Sequence, residues 1–97
     1  MSLPACYDAR LGFRIEPHAL RRMPVRGVTL EEVEETLIRG ISVPARGTRQ
    51  AKELVFLYGR AWSGRMYQQK KVRVIYIEEE ELVVITVLAY YGQWEPL

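Results

Sequence analysis

One histidine and two arginines near the N-terminus have the residue types and spacing that best suit acid–base chemistry in this 97-residue chain. His18, the only histidine, precedes Arg21 and Arg22 by three and four residues, so a helix places all three on roughly one face. Imidazole exchanges a proton near neutral pH, and guanidinium groups bind phosphate. This set suits cleavage of an RNA phosphodiester by its own 2′-hydroxyl, with His18 as general base or acid and Arg22 on the phosphate. The alternative is a structural His18 that forms local hydrogen bonds at a helix start.

A second set of candidate residues lies in a basic segment, residues 44–73. The segment holds eight basic residues and one acid, a balance of +7, and the residues after it hold five glutamates and no basic residue. Tyr58, Trp62 and Tyr67 are interspersed, and basic residues interleaved with aromatic ones suit nucleic-acid backbones and bases. Tyr67 is predicted to orient or protonate a phosphate. The predicted substrate-binding residues are Arg21, Arg65, Lys70, Lys71 and Arg73. The alternative is an ordinary loop and edge-strand surface whose lysines discourage strand pairing.

The composition bounds the class of protein. With 48% apolar and 27% charged residues, the chain indicates one globular domain, residues 1–97, in which residues 1–12 are expected to form an irregular or frayed arm. No segment reaches the ~18 apolar residues of a membrane span, and no secretory signal is recognisable, so we expect a cytoplasmic protein without membrane attachment. Cys6 is the only cysteine, and we expect it to be a small apolar residue rather than a nucleophile. No metal-site or phosphate-loop motif occurs, so the sequence predicts no metal and no cofactor.

Two helices are predicted to position the histidine and its neighbours. The first is expected over residues 17–23, because proline suits a first turn and the residue before Pro24 disfavours helix. The second is expected over residues 30–39. Its start is marked by Thr29 and Glu32, which have the spacing of a capping box.

Strands are predicted for the C-terminal half. They are expected at Leu54–Tyr58, Val72–Ile77 and Leu82–Tyr91, with a further short strand near Phe13. The glutamates at 78–81 are expected to form a solvent-exposed hairpin turn. The order of two helices followed by three or four antiparallel strands predicts an α+β fold. Because the last strand is apolar on both faces, we expect it to be central in the sheet or paired with a second copy in a homodimer.

Three short motifs occur in a fixed order. They are His18-Ala19-x-x-Arg22-Met23, then Arg26-Gly27-Val28-Thr29 before an acidic helix, and finally Val84-Ile85-Thr86-Val87. Over about residues 15–91 the chain thereby resembles a family of small prokaryotic domains of unknown function. That family is similar to the RelE and BrnT ribonuclease toxins of toxin–antitoxin pairs, in which two N-terminal helices pack on an antiparallel sheet.

The resemblance implies an activity and two partners. It implies a metal-independent endoribonuclease that acts on RNA and is held silent by an antitoxin protein. Two other interpretations remain open. One is a non-catalytic nucleic-acid-binding module, and the other is a homo-oligomeric protein-interaction domain.

Overall fold

Two helices and six strands make up the fold in a computed structural model, which describes residues 12–94 and the backbone of residues 7–8. In chain order they are β1 (Tyr7–Asp8), β2 (Phe13–Ile15), α1 (Pro17–Arg26), α2 (Leu30–Arg39), β3 (Ile41–Val43), β4 (Gln50–Trp62), β5 (Arg65–Glu78) and β6 (Leu82–Gly92). Cys6 and most of the predicted N-terminal arm lie outside the described residues.

The sheet is larger than predicted and has mixed strand directions. Its strand order is β1-β2-β6-β5-β4-β3; β2 runs parallel to β6, and the other neighbours are antiparallel. The prediction of two N-terminal helices on a three- to four-stranded antiparallel sheet is therefore wrong, because the sheet has six strands and one neighbouring pair, β2 and β6, is parallel. The short strand predicted near Phe13 is present as β2. The two strands that were not predicted, β1 and β3, have two and three residues, too few for a recognisable period-two pattern.

The two longest strands form one hairpin that extends well beyond the predicted apolar runs. β4 and β5 have 13 and 14 residues, against five and six in the predictions at 54–58 and 72–77. The additional residues are mostly polar, and cross-strand pairing stabilises them. Glu53 lies opposite Arg73 in the register, and their side chains form an ion pair.

Both helices pack on one face of the sheet and bury the core there. The core joins even-numbered residues of β5 to apolar residues of the helices, of the α1–α2 connection, of β2 and of β6. Its members are Phe13, Ile15, Ala19, Met23, Val28, Val33, Val72, Val74, Tyr76, Val84 and Val87. β6 lies inside the sheet between β2 and β5, as its apolar sequence predicts. Residues Lys71, Arg73, Ile75 and Ile77 of β5 point to the opposite side, which neither helix covers. We call this side the open face.

Helix α1 continues one turn further than predicted, with Pro24 inside it. The prediction that it ends before this proline is wrong because the last turn is closed by other bonds. The amide of Val28 donates to the carbonyl of Met23 at 2.8 Å, and the amide of Gly27 donates to that of Pro24 at 3.2 Å. These two bonds form a Schellman motif, and its apolar contact joins Met23 and Val28, both buried in the core. The missing amide of Pro24 therefore removes only one bond from a turn that is otherwise satisfied.

Helix α2 begins as the sequence predicts. The Glu32 amide donates to the Thr29 hydroxyl at 3.1 Å, and the Thr29 amide donates to the Glu32 carboxylate at 3.0 Å. The predicted capping box is thus confirmed. The predicted turn of glutamates is confirmed as well, because residues 79–81 join β5 to β6 and are exposed.

Candidate nucleic-acid interface

His18, Arg21 and Arg22 lie together on the exposed side of α1. All three side chains are exposed, whereas Ala19 and Met23 of the same helix are buried in the core. The shared helical face expected from their spacing is therefore present. His18 is not buried against α2, so its side chain is accessible to a ligand.

The helix separates His18 from the basic residues of β5. Its first turn is held near Val84, whose carbonyl accepts from the Glu16 amide at 2.9 Å. Its last turn is held near Val87, whose carbonyl accepts from the Arg26 guanidinium at 2.8 Å. At a rise of 1.5 Å per residue, the nine residues from His18 to Gly27 span about 13 Å along the axis. The structure thus places His18 at one end of α1 and the residues that contact Gly27 at the other.

Lys70 is engaged inside the protein. Its Nζ lies 2.7 Å from the Glu32 carboxylate and donates to the Gly27 carbonyl at 2.7 Å. Only 3% of the side chain is exposed. Lys70 therefore ties the junction of α1 and α2 to the sheet and has no donor at the surface for an RNA backbone.

An aromatic cluster lies beside Lys70 and contains the predicted Tyr67. Its centre is Tyr91, whose ring stacks on Trp62 at 4.8 Å between centroids and lies 5.3 Å from Tyr58 and 5.6 Å from Tyr67. The Tyr91 hydroxyl donates to the Arg26 carbonyl at 2.8 Å. Burial, and secondarily the neighbouring Tyr58, raise the pKa of Tyr91 to about 12. The Tyr91 hydroxyl therefore stays protonated at neutral pH and serves as a hydrogen-bond donor.

The same cluster explains the Arg26-Gly27 motif. Gly27 has a φ of +73°, a left-handed conformation that favours glycine. A Cβ at this position would lie 2.7 Å from the Trp62 ring and even closer to the Tyr91 hydroxyl. Arg26 contributes the bond to the Val87 carbonyl described above. This part of the sequence pattern is accordingly accounted for by the packing of the α1–α2 junction.

The open face carries cations that lie against aromatic rings. Lys71 Nζ lies 4.7 Å from the ring centroid of Trp94, and the Arg73 guanidinium lies 5.5 Å from that of Tyr90. Trp94 is fixed by its amide, which donates to the Gln69 side chain. We call Lys71, Arg73, Tyr90 and Trp94 the cation–aromatic row. Because side chains alternate along a strand, Lys70 and Lys71 project to opposite faces and cannot serve one ligand together.

A pocket lined by three arginines adjoins this row. It has a volume of about 290 Å³ and is lined by Pro44, Ala45, Arg46, Arg49, Arg73 and Ile75. Arg73 belongs to both the row and the pocket, so the two are continuous. Its guanidinium also binds the carboxylate of Glu53. We call this feature the arginine pocket.

Arg65 lies far from the arginine pocket, at the tip of the β4–β5 hairpin. It is exposed and pairs with Trp62 across the two-residue turn. Eight residues of β5 separate it from Arg73, which corresponds to about 26 Å of strand. The structure therefore spreads the five predicted substrate-binding residues over four places: helix α1, the hairpin tip and each of the two faces of β5.

Comparison with known families gives one match. A family model described as "Domain of unknown function (DUF4258)" matches residues 15–89. The chain belongs to this family. No curated protein and no solved structure matches the chain significantly. The expected domain of unknown function is confirmed by the DUF4258 match, and the similarity to RelE and BrnT toxins stays a prediction.

Two further findings concern the described residues of this DUF4258 domain. Across residues 12–94, no three His, Cys, Asp or Glu side chains come together as a group that could hold a metal ion. The helices α1 and α2 have ten residues each, and neither has the length or apolar character to cross a membrane.

Sequence reasoning missed the surface of the DUF4258 domain on which cations and aromatic rings meet. In the sequence, the aromatic residues Tyr90 and Trp94 near the end of the chain favour packing against the core over an exposed contact patch, and Arg46 and Arg49 add only to the charge of the basic segment. Two signals were available. The period of two along a strand separates Lys71 and Arg73 from Lys70, and the sequence Arg46-Gly47-Thr48-Arg49 has the composition of a tight turn.

Proposed function

We propose that this protein binds single-stranded RNA on its open face. The observation that carries the proposal is the cation–aromatic row, in which Lys71 and Arg73 lie against Trp94 and Tyr90 on the side of the sheet that no helix of the described chain covers. Aromatic rings stack on bases, and neighbouring cations hold the phosphates between them. The two cations are two residues apart on one strand, and hence about 7 Å from each other.

The charges of this surface give an expected salt dependence. The row and the arginine pocket together contribute Lys71, Arg73, Arg46 and Arg49, while Glu53 compensates one of these charges. Neutralising three to four phosphates of a single strand gives a slope of log K against log salt of about −2 to −3. Stacking of one base on Tyr90 contributes about 1–3 kcal/mol.

Fluorescence anisotropy with a labelled single-stranded RNA tests the proposal. We expect binding that weakens with salt at the slope above, and Tyr90→Ala and Lys71→Gln to weaken it about fivefold or more. The control is Arg39→Gln, an exposed arginine at the end of α2, which should bind as the wild type does. Absence of salt-sensitive binding, or equal binding by all three variants, would contradict the proposal.

RNA cleavage is a second proposal, favoured by the exposure of His18 beside Arg21 and Arg22 on one free helix face. His18 takes or gives the proton and Arg22 binds the phosphate, and an antitoxin partner belongs to the same proposal. The test is the integrity of RNA after incubation with wild-type protein and with His18→Ala. Cleavage that His18→Ala abolishes supports this mechanism, whereas intact RNA with the wild type refutes it and leaves the binding proposal standing.

A further inference from the structure

A four-residue turn brings two arginines to the arginine pocket. The turn spans residues 46–49, and the Arg49 amide donates to the Arg46 carbonyl at 3.0 Å. Gly47, the second residue of the turn, has a φ of +61°, a backbone conformation that favours glycine. Pairing of Val43 with Ala51 closes the base of the loop. The backbone thus fixes Arg46 and Arg49 at the two ends of one tight turn, and both residues line the pocket.

The third arginine comes from the sheet and is already oriented. Arg73 Nε and Nη2 both bind one oxygen, Oε2, of Glu53. This carboxylate fixes the plane of the guanidinium and leaves Nη1 without a bond to it. Three guanidinium groups and one carboxylate sum to a local charge of +2. The remaining lining residues, Pro44, Ala45 and Ile75, are apolar and add no charge to the pocket.

We propose that the arginine pocket binds a phosphomonoester dianion, the terminal phosphate of an RNA strand or a nucleotide. A phosphomonoester carries a charge of about −1.5 to −2 at pH 7 and three acceptor oxygens, which suit the local charge of +2 and guanidinium donors from three arginines. A phosphodiester within a strand carries a single charge, so it complements the pocket less well. The volume of about 290 Å³ lies at the lower limit for whole-ligand sites, so the pocket receives the phosphate and leaves the nucleoside outside.

The phosphate site depends on the proposed function in one respect, because the proposed RNA binding supplies RNA as the molecule that carries the phosphate. Because Arg73 belongs to both features, a strand whose terminal phosphate occupies the pocket has its first bases directed along the row toward Tyr90 and Trp94. The pocket would then fix the end of the strand, and the row would hold the nucleotides that follow.

A titration with small molecules tests the phosphate site independently of RNA. Amide resonances of Gly47, Thr48 and Arg49 are followed by NMR during addition of inorganic phosphate, adenosine 5′-monophosphate or adenosine. We expect the first two to shift these resonances and adenosine to leave them unchanged. The double variant Arg46→Gln/Arg49→Gln should lose the shifts, and Arg39→Gln should keep them. No shift at saturating phosphate, or equal shifts with adenosine, would overturn the inference.

A second arm identifies the source of the phosphate. The same single-stranded RNA is prepared with a 5′-phosphate, a 3′-phosphate or hydroxyl groups at both ends. We expect one of the phosphorylated forms to bind at least tenfold more tightly than the hydroxyl form, and the double variant to remove this difference. Equal affinity of all three RNAs overturns the inference even where RNA binding stands. Failure of every RNA to bind, with nucleotide still bound at the pocket, refutes the proposed function and supports the site.

Discussion

The substitution Lys70→Met tests whether this lysine holds the α1–α2 junction to the sheet. Methionine retains most of the apolar stem and removes the ammonium group. The Glu32 carboxylate, whose side chain is 18% exposed, then loses its partner, and the Gly27 carbonyl loses its donor. Breaking a buried pair in this way costs about 3–5 kcal/mol, and the partial access of Glu32 to water places the expected value near the lower end. For a domain of this size, about 3 kcal/mol corresponds to a fall in Tm of roughly 12–24 °C.

The matched control is Lys71→Met, the neighbouring lysine on the open face. It loses only the contact with Trp94, which is worth about 0.5–1 kcal/mol at an exposed site. Urea unfolding followed by circular dichroism gives both free energies of unfolding. If Lys70→Met destabilises the protein no more than Lys71→Met, the assignment of Lys70 to the buried junction is refuted.

A double-mutant cycle with Glu32→Gln separates the ion pair from the packing. Glutamine at this position can still accept the bond from the Thr29 amide, so the capping box survives. We expect the double variant Glu32→Gln/Lys70→Met to be less destabilised than the sum of the two single variants, because neither then leaves a charge without its partner. Strict additivity would show that the two groups do not interact in the folded protein.

Four further substitutions have expected outcomes. Gly27→Ala should destabilise by about 2 kcal/mol or more in urea unfolding, because it adds a left-handed alanine and a clash with Trp62. Thr29→Ala should cost about 1 kcal/mol in the same assay, through loss of the N-cap. Folding raises the pKa of Tyr91 from 10.0 to about 12. The stability that the protonated hydroxyl contributes is therefore complete below pH 10 and is lost as the pH rises toward 12. Tyr91→Phe should consequently reduce the fall in Tm between pH 10 and pH 12, as measured by thermal unfolding. His18→Ala should leave Tm within a few degrees of the wild type, because the side chain is exposed; a large fall would show a structural histidine.

The parts of the fold that the sequence predicted depend on residues close together in the chain. The capping box needs only Thr29 and Glu32, and the apolar periodicity of α2 lies within ten residues. The end of α1 was predicted wrongly for a local reason as well, because a proline near the end of a helix removes only one backbone bond. The carbonyl groups in the last turn of α1 instead accept hydrogen bonds from the amides of Gly27 and Val28.

The parts that were not predicted depend on pairings between distant residues. Phe13 lies beside Leu82 in the parallel pair of β2 and β6, and nothing in a three-residue strand specifies that partner. The edge strand β3 was not predicted either. Its Ile41 is 69% exposed, so the strand has no alternation of buried apolar and exposed polar residues that would mark it in the sequence. The candidate site shows the same limit, because the row depends on which residues of β6 and of the C-terminal segment lie beside β5.

The basic segment shows why a charge total does not locate a binding surface. Lys52 donates to the Leu37 carbonyl in the last turn of α2 at 2.8 Å, and Lys70 donates to the Gly27 carbonyl just after α1. Both lysines therefore stabilise the C-terminal ends of helices, where free carbonyls and the helix dipole favour a cation.

The pleat of the sheet decides which basic residues have these internal roles. On β5, the even-numbered Lys70 faces the helices and is enclosed by them, whereas Lys71 and Arg73 face the side that the helices leave open. A shift of one residue in the register of β5 would exchange these positions. It would place two unpaired cations in the core and apolar valines at the surface. The burial of Val72 and Val74 therefore fixes the open face as the side on which Lys71 and Arg73 are available to a ligand, and this makes the cation–aromatic row a consequence of the same pattern that builds the core.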